Sequence, residues 1–182
     1  MAVTEQMRIT TQEKQEYYTQ ELRKTVCFLG LEGCGKSSII RSLRGEKELI
    51  GPYRTIGLNV LTLDRLNINV IDCSGLKVFR KLFWTQALKV AHIVVFVIDA
   101  SSPEKLEEVR EALDFVYEEI GDQKPILFLS SKNDKANIMP PETIMKELNL
   151  NQFKRSCIVM PVSVFENMNL YLTELLLKNI NP

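Results

Sequence analysis

Gly30-Leu31-Glu32-Gly33-Cys34-Gly35-Lys36-Ser37 is the stretch that decides the fold of this 182-residue chain. It fits the pattern GxxxxGK[ST], and a chance match in a chain of this length is on the order of one per cent. The flanks agree with it. Thr25 to Gly30 is a short apolar run that reads as a buried strand, and Lys36 to Arg44 reads as a helix stopping at Gly45. Strand, glycine-rich loop and helix N-terminus together make a phosphate cradle. Glycines let backbone N–H groups turn inward around phosphate oxygens, and the helix N-terminus adds partial positive charge. Lys36 would reach the β- and γ-phosphates, and the Ser37 hydroxyl would take a Mg²⁺ position. An ordinary glycine-rich strand–helix turn is the competing reading.

Outward from this loop the pattern alternates. Leu58 to Leu63 and Leu66 to Ile71 read as two strands joined by a tight turn at Asp64-Arg65. Ile93 to Ile98 reads as a buried strand. Residues 103 to 120 carry apolar side chains at 106, 109, 113, 116 and 120, a helical period. Ile126 to Leu129 and Ile158 to Val162 read as strands. Pro140 and Pro141 open a helix through Leu148, and Asn167 to Ile180 reads as a closing helix. Such alternation implies a mostly parallel sheet with helices on both faces, with ligands outside the carboxyl ends of the strands.

Composition bounds the rest. Hydrophobic residues are 45% and charged residues 25%, and the length supports one compact domain, taken as 24–182. Lys+Arg and Asp+Glu both total 23, which argues against a general nucleic-acid binder. The longest apolar run, Ile93 to Ile98, is far short of the roughly 20 residues that span a bilayer. No signal peptide opens the chain, and neither end carries a lipid-attachment motif, so no autonomous membrane anchor is expected. Residues 10 to 23 read as a helix with a Thr10–Glu13 capping box, making 1–23 an N-terminal helical extension. Its apolar face, Tyr17, Tyr18 and Leu22, is too thin for a lipid interface. Cys27, Cys34, Cys73 and Cys157 form no CxxC pair and read as free thiols. Cys34 reads as a small residue that fits its loop, with a reactive thiol as the alternative, and His92 as structural.

Charge is distributed in blocks. From Lys77 to Lys89 the only charges are four cations, Lys77, Arg80, Lys81 and Lys89. From Glu104 to Asp122 there are eight acids against Lys105 and Arg110, which reads as the solvated face of a helix.

The phosphate loop does not choose a base; Ser131-Lys132-Asn133-Asp134 does. A carboxylate such as Asp134 can accept from the N1–H and the exocyclic amine of guanine. Adenine lacks both donors, and such polar sites can discriminate by about 10⁴-fold. The Lys132 stem can lie along the base.

With these motifs the chain resembles a small GTPase of the Arf-like branch. Gly30-Leu31-Glu32 is similar to the family's Gly-Leu-Asp opening, and Thr55-Ile56-Gly57-Leu58-Asn59-Val60 to its switch I motif. Asp72-Cys73-Ser74-Gly75 fills the DxxG position that opens switch II, and Val97-Ile98-Asp99-Ala100-Ser101 resembles the strand that follows. The resemblance covers roughly residues 24 to 180. It implies an α/β P-loop small-GTPase fold with a six-stranded, mostly parallel sheet, binding GTP or GDP with Mg²⁺. Ser37, Thr55 and Asp72 would hold the metal. Gly30, Glu32, Gly33, Cys34, Gly35, Lys36, Ser38, Thr55 and Gly75 would surround the phosphates. Ser131, Lys132, Asp134, Ser163 and Val164 would surround the guanine. Effectors would bind through switch I, the interswitch strands and switch II, and an exchange factor would act on the same region. A monomeric, cytoplasmic protein recruited to membranes or a cilium by partners is expected, with a role in trafficking or in ciliary or cytoskeletal regulation.

Three departures shape the functional expectation. Leu76 stands where the family has the Gln that orients the attacking water, so no catalytic residue is assigned and hydrolysis should be very slow. Ser131 stands where the family has an Asn that ties the base loop to the phosphate loop, and Val164 replaces an Ala, so nucleotide should be held less firmly. The family's aromatic effector triad maps to Leu58, Ile71 and Gln86. Phe79 and Trp84, exposed beside Lys77, Arg80 and Lys81, would provide a substitute anchor; packing into the core is the alternative. The competing function is a pseudo-GTPase scaffold that uses nucleotide only structurally. A P-loop kinase or ATPase fits less well, because Asp134 argues for guanine.

Overall fold

The computed structural model describes residues 23–46, 54–152 and 158–180. The helix read over 10 to 23, the extension that contains it and Cys157 lie outside the described residues. In chain order the elements are β1 (Lys24–Leu29), α1 (Lys36–Leu43), β2 (Leu58–Leu63), β3 (Ile68–Cys73), α2 (Lys77–Val90), β4 (Ile93–Asp99), α3 (Leu106–Ile120), β5 (Ile126–Ser131), α4 (Pro141–Glu147), β6 (Val159–Pro161) and α5 (Leu170–Asn179). The strands form one six-stranded sheet in the order β2-β3-β1-β4-β5-β6. Among the described strands only the edge pair β2–β3 is antiparallel; the other pairings are parallel.

Strand periodicity divides the core into two layers. In β4, all of whose residues are buried, Val94, Phe96 and Ile98 face one layer with Trp84, Leu88, Leu113 and Val116. Ile93, Val95 and Val97 face the other, with Ile39, Ile40, Leu43 and Leu177. Both faces are therefore covered, as an all-buried parallel strand requires. Two lysines finish helix ends. The Lys124 ammonium donates to the carbonyls of Leu88, Lys89 (3.4 Å) and Ala91 (2.7 Å) at the end of α2. Lys24 does the same at Ile180 (2.7 Å), just past α5. A cation there meets the negative end of the helix dipole.

Several element boundaries differ from those the sequence implies, each for a local reason. A 3₁₀ turn at Asp64–Leu66 and the left-handed Asn67 (φ 53) separate β2 from β3. Asn tolerates that conformation, so β3 begins at Ile68 instead of Leu66 and runs on to Cys73. Leu66 goes to the core, not to the ladder. Asn167 and Asn169 are also left-handed, which delays the last helix to Leu170. Pro103–Lys105 is a 3₁₀ turn ahead of α3.

Helix α2 is not among the elements that periodicity marks, and it overturns one expectation. Its buried stripe is Arg80, Trp84, Ala87 and Leu88, a helical period that begins on a charged residue. Trp84 is not a surface anchor: it is fully buried, donates its Nε1–H to the Ser74 carbonyl at 2.9 Å and packs edge-on against Phe96. Phe79 is half-buried in a T-shaped contact with Phe83. Arg80 is buried as well. Its Nε–H donates to the Gly75 carbonyl (2.9 Å), its Nη2 pairs with Glu108 (2.6 Å), and its guanidinium lies 5.8 Å from the Trp84 ring centroid. Lys77 pairs with Glu111. The acidic face of α3 is thus partly an electrostatic partner of α2, and the four-cation block is half neutralised. His92 is structural: its Nδ1 accepts from the Thr25 N–H at 2.9 Å. Among the described residues no helix is long and apolar enough to cross a membrane.

Trp84 is the only tryptophan and therefore reports on this core. Its emission should be blue in the folded protein and shift red in the same urea transition that circular dichroism follows. Trp84→Ala should cost about 3–5 kcal/mol of unfolding free energy, measured by circular dichroism in urea.

Candidate functional site

The phosphate-loop motif follows β1 and runs into α1 at the carboxyl edge of the sheet. Gly30 is required there by space: its φ is +138°, and a Cβ would sit 2.3 Å from the Val97 carbonyl oxygen. Lys36 is buried, and its ammonium crosses the loop to the carbonyls of Gly30 (2.9 Å) and Leu31 (2.8 Å), with the Cys34 Sγ at 3.5 Å. Cys34 is itself buried against the α1/α5 core layer, which supports the packing reading of this thiol. Gly75 comes in from the end of β3; a Cβ on it would lie 2.4 Å from the Glu32 nitrogen. That close approach joins the start of switch II to the phosphate loop.

A cavity of about 350 Å³ opens over these groups. Glu32, Gly33, Gly35, Lys36 and Ser38 line it from the phosphate loop and α1, and Arg54, Thr55, Gly75 and Leu76 from the two segments that follow. Beside it, at Ser37 and Thr55, three oxygens converge from three separate elements. The Ser37 hydroxyl donates to Asp72 Oδ2 at 2.5 Å, the Thr55 hydroxyl lies 3.1 Å from that of Ser37, and Thr55 Oγ1 lies 3.4 Å from Asp72 Oδ2. The other carboxylate oxygen, Asp72 Oδ1, is buried with no hydrogen-bond partner. Burial pushes the Asp72 carboxyl up, against the opposing pull of Ser37, Lys36 and Thr55. Two hydroxyls and a carboxylate with one orphaned oxygen are hard donors that fit a hydrated divalent cation such as Mg²⁺.

A second cavity of about 260 Å³ lies next to the first, bounded by Ser131, Lys132, Asp134, Val164 and Phe165. Asp134 and Lys132 are each held from behind. Ser163 Oγ–H donates to Asp134 Oδ1 at 2.6 Å. Lys132, itself left-handed (φ 60), pairs through Nζ with Asp99 Oδ2 at 2.6 Å. Asp99 ends β4 and also accepts from the backbone and hydroxyl of Ser101. Burial pushes the Asp99 carboxyl up, but the Lys132 and Ser101 bonds outweigh it and hold the group below the usual carboxylate range.

Ser131 corrects an expectation. The bridge from the base loop to the phosphate loop is present: Ser131 Oγ lies 2.6 Å from the Cys34 carbonyl oxygen and 3.1 Å from that of Ile98. Ser131 is the buried last residue of β5, and from there its short hydroxyl reaches the Cys34 carbonyl directly. Val164 packs half-buried against the α1/α5 layer while lining the cavity. Leu76 is half-buried at the start of α2 and turns an aliphatic side chain to the first cavity. All the expected phosphate, metal and base residues thus gather at one edge of the sheet. Sequence reasoning missed Asp99 and Arg54. An acid closing an otherwise apolar strand and a cation directly before Thr55 were the available signals.

The two buried acids should give pH dependences of opposite sign. Asp99, held low, contributes stability above the ordinary carboxylate range that is lost as pH falls through its folded pKa. Asp99→Asn should therefore cost about 1–3 kcal/mol at neutral pH, with the cost shrinking in acid. Asp72, held high, binds its proton more tightly when folded. In Mg²⁺-free buffer the unaltered chain should gain stability relative to Asp72→Asn as pH falls through that raised pKa. Urea unfolding across pH checks both.

The model of the ADP-ribosylation factor family matches residues 9–179. ADP-ribosylation factor K of Dictyostelium discoideum is 33% identical over 152 residues, covering 80% of this chain and 79% of that protein. ADP-ribosylation factor-like protein 1 of Saccharomyces cerevisiae is 32% identical over 139 residues, covering 74% of this chain and 73% of that protein. In fold the chain is similar to the Arl6 BBS3 small GTPase from Trypanosoma brucei, solved with the bound nucleotide analogue GppNp. The TM-score is 0.73 at 22% identity, over 86% of this chain and 95% of that one. The six-stranded sheet, the phosphate loop and these matches together show that the chain belongs to the ADP-ribosylation factor family of small GTPases.

Proposed function

We propose that this chain is a Mg²⁺-dependent guanine-nucleotide switch that holds GTP, hydrolyses it very slowly and recruits effectors in that state. The observation that carries the proposal is Leu76 in the phosphate cavity beside Gly75. Its side chain has neither donor nor acceptor with which to hold an attacking water. The neighbours do not substitute for it. Lys77 is a cation paired with Glu111, and Gln86 is exposed further along α2.

The other roles follow from placement. Lys36 would exchange its loop carbonyls for β/γ-phosphate oxygens, and the Gly75 N–H would meet the terminal phosphate. Ser37 and Thr55 would hold Mg²⁺ through their hydroxyls, with Asp72 acting through water. Bound Mg²⁺ would neutralise phosphate charge. Asp134, oriented by Ser163, would accept from guanine, and the Lys132 stem, aligned by Asp99, would lie along the base. The Ser163–Val164 backbone would meet the guanine carbonyl. Thr55 and Gly75 are thereby both tied to the terminal phosphate, so switches I and II would order or release together.

The effector face differs from the one expected from the aromatic triad positions. Ile71 is buried and Leu58 half-buried. Exposed apolar area comes instead from Ile56 (76%) and Val60 (67%) along switch I and the edge strand β2, and from Val78 (81%) and Leu82 (57%) on α2. Aliphatic groups on elements tied to the nucleotide suit a partner that reads its state.

Single-turnover hydrolysis with Mg²⁺ tests this reading. The unaltered chain should turn over at or below about 10⁻⁴ per second, and Leu76→Gln should raise the rate by about tenfold or more. Lys36→Ala should lose nucleotide. A rate in the unaltered chain equal to that of Leu76→Gln contradicts the role given to Leu76. Effector capture that is indifferent to nucleotide would favour the scaffold function.

A further inference from the structure

Arg54 and Glu32 form an ion pair across the mouth of the phosphate cavity, with Arg54 Nε 2.8 Å from Glu32 Oε1. Glu32 belongs to the phosphate loop. Arg54 directly precedes Thr55, whose hydroxyl is fixed among Ser37 and Asp72. The pair therefore joins switch I to the phosphate loop across a cavity that Gly75 and Leu76 also line.

A carboxylate on the wall of a pocket built for phosphate is electrostatically unfavourable unless it is neutralised, and Arg54 neutralises it. The pair is also easily exchanged. Its side chains are 74% and 38% exposed, and ion pairs at such positions are weak because water screens them. The other cation of the cavity, Lys36, is buried and already committed to the loop carbonyls. Among the described residues, Arg54 is thus the cation lining this cavity that can respond to an added negative charge. A guanidinium presents several N–H donors in a rigid fork and can hold a carboxylate through Nε while its outer nitrogens take phosphate oxygens.

We propose that Arg54 is a specificity-determining residue for the terminal phosphate, shared with or surrendered by Glu32 when a nucleoside triphosphate is bound. A diphosphate ends short of this rim and leaves the Glu32–Arg54 pair as it is. A triphosphate brings charge to the rim and draws Arg54, and with it switch I, onto the nucleotide. Glu32 then acts as a competing anion that weakens the triphosphate state. This inference rests on the proposed binding of guanine nucleotide in this cavity and adds a way of telling GTP from GDP.

The test is the dissociation rate of fluorescent GDP and of a fluorescent non-hydrolysable GTP analogue, with Mg²⁺, from the unaltered chain, Arg54→Ala, Arg54→Lys and Glu32→Gln. Arg54→Ala should speed loss of the triphosphate analogue about tenfold while changing GDP by less than about twofold. Arg54→Lys should fall between, since it restores the charge without the fork. Glu32→Gln should slow loss of the analogue. That opposite sign separates the proposal from mere disturbance of Thr55, because Glu32 is remote from it in sequence. Equal effects on both nucleotides, no effect of Arg54→Ala, or faster analogue loss in Glu32→Gln would each overturn the assignment. An unaltered chain that binds neither nucleotide overturns the parent reading, and this inference with it, before any variant is made.

Discussion

The buried carboxylate of Asp72 is the constraint on which the site depends. It sits where β3 ends, takes one hydroxyl from α1 and one from switch I, and leaves its second oxygen unpaired. Burial disfavours its charge, and two hydroxyl contacts do not fully offset that. A divalent cation would resolve the imbalance and fix three otherwise separate elements at once. Thr55 connects that point to the exposed edge of the sheet, because switch I leads straight into β2. Gly75 connects it to α2 through its contact with the phosphate loop. The same few oxygens thus couple the ligand pocket to both segments of exposed apolar surface.

The second half of the coupling is electrostatic. Helix α2 carries cations and α3 carries acids, and they meet through Arg80–Glu108 and Lys77–Glu111. Arg80 also holds the Gly75 carbonyl. The start of switch II is therefore tied to the body of the fold by a buried guanidinium, while its outer face, Val78 and Leu82, stays open. On the base side, charges are paired behind the pocket. Asp99 aligns Lys132 and Ser163 aligns Asp134, so the groups that would face a base are set in place by the fold itself. Preorganisation of that kind lowers the ordering cost of binding.

Much of this is legible in the residues. The phosphate loop announces itself because only glycines tolerate its turns and approaches, and the buried strands because their apolar runs are unbroken. The helix Lys77–Val90 is not legible, since its inner stripe begins with Arg80 and its outer face carries Val78 and Leu82. Polarity and burial are inverted there, so the pattern that normally marks a helix face points the wrong way. Trp84 follows from the same inversion: beside three cations it reads as a surface anchor, yet Arg80 turns inward with it. Ser131 misleads because the reach of a side chain means little without the backbone it reaches, and here the Cys34 carbonyl lies within 2.6 Å of its hydroxyl. Arg54 and Asp99 act through partners distant in sequence, which spacing does not reveal.

The central claim is that this family member holds GTP because Leu76 leaves the water unoriented. The most direct measurement is the nucleotide carried by freshly purified protein, released by denaturation and resolved by ion-exchange chromatography with Mg²⁺ kept throughout. The account predicts bound guanine nucleotide that is mainly GTP. Mainly GDP would contradict the role of Leu76, and an empty protein would contradict the nucleotide switch itself.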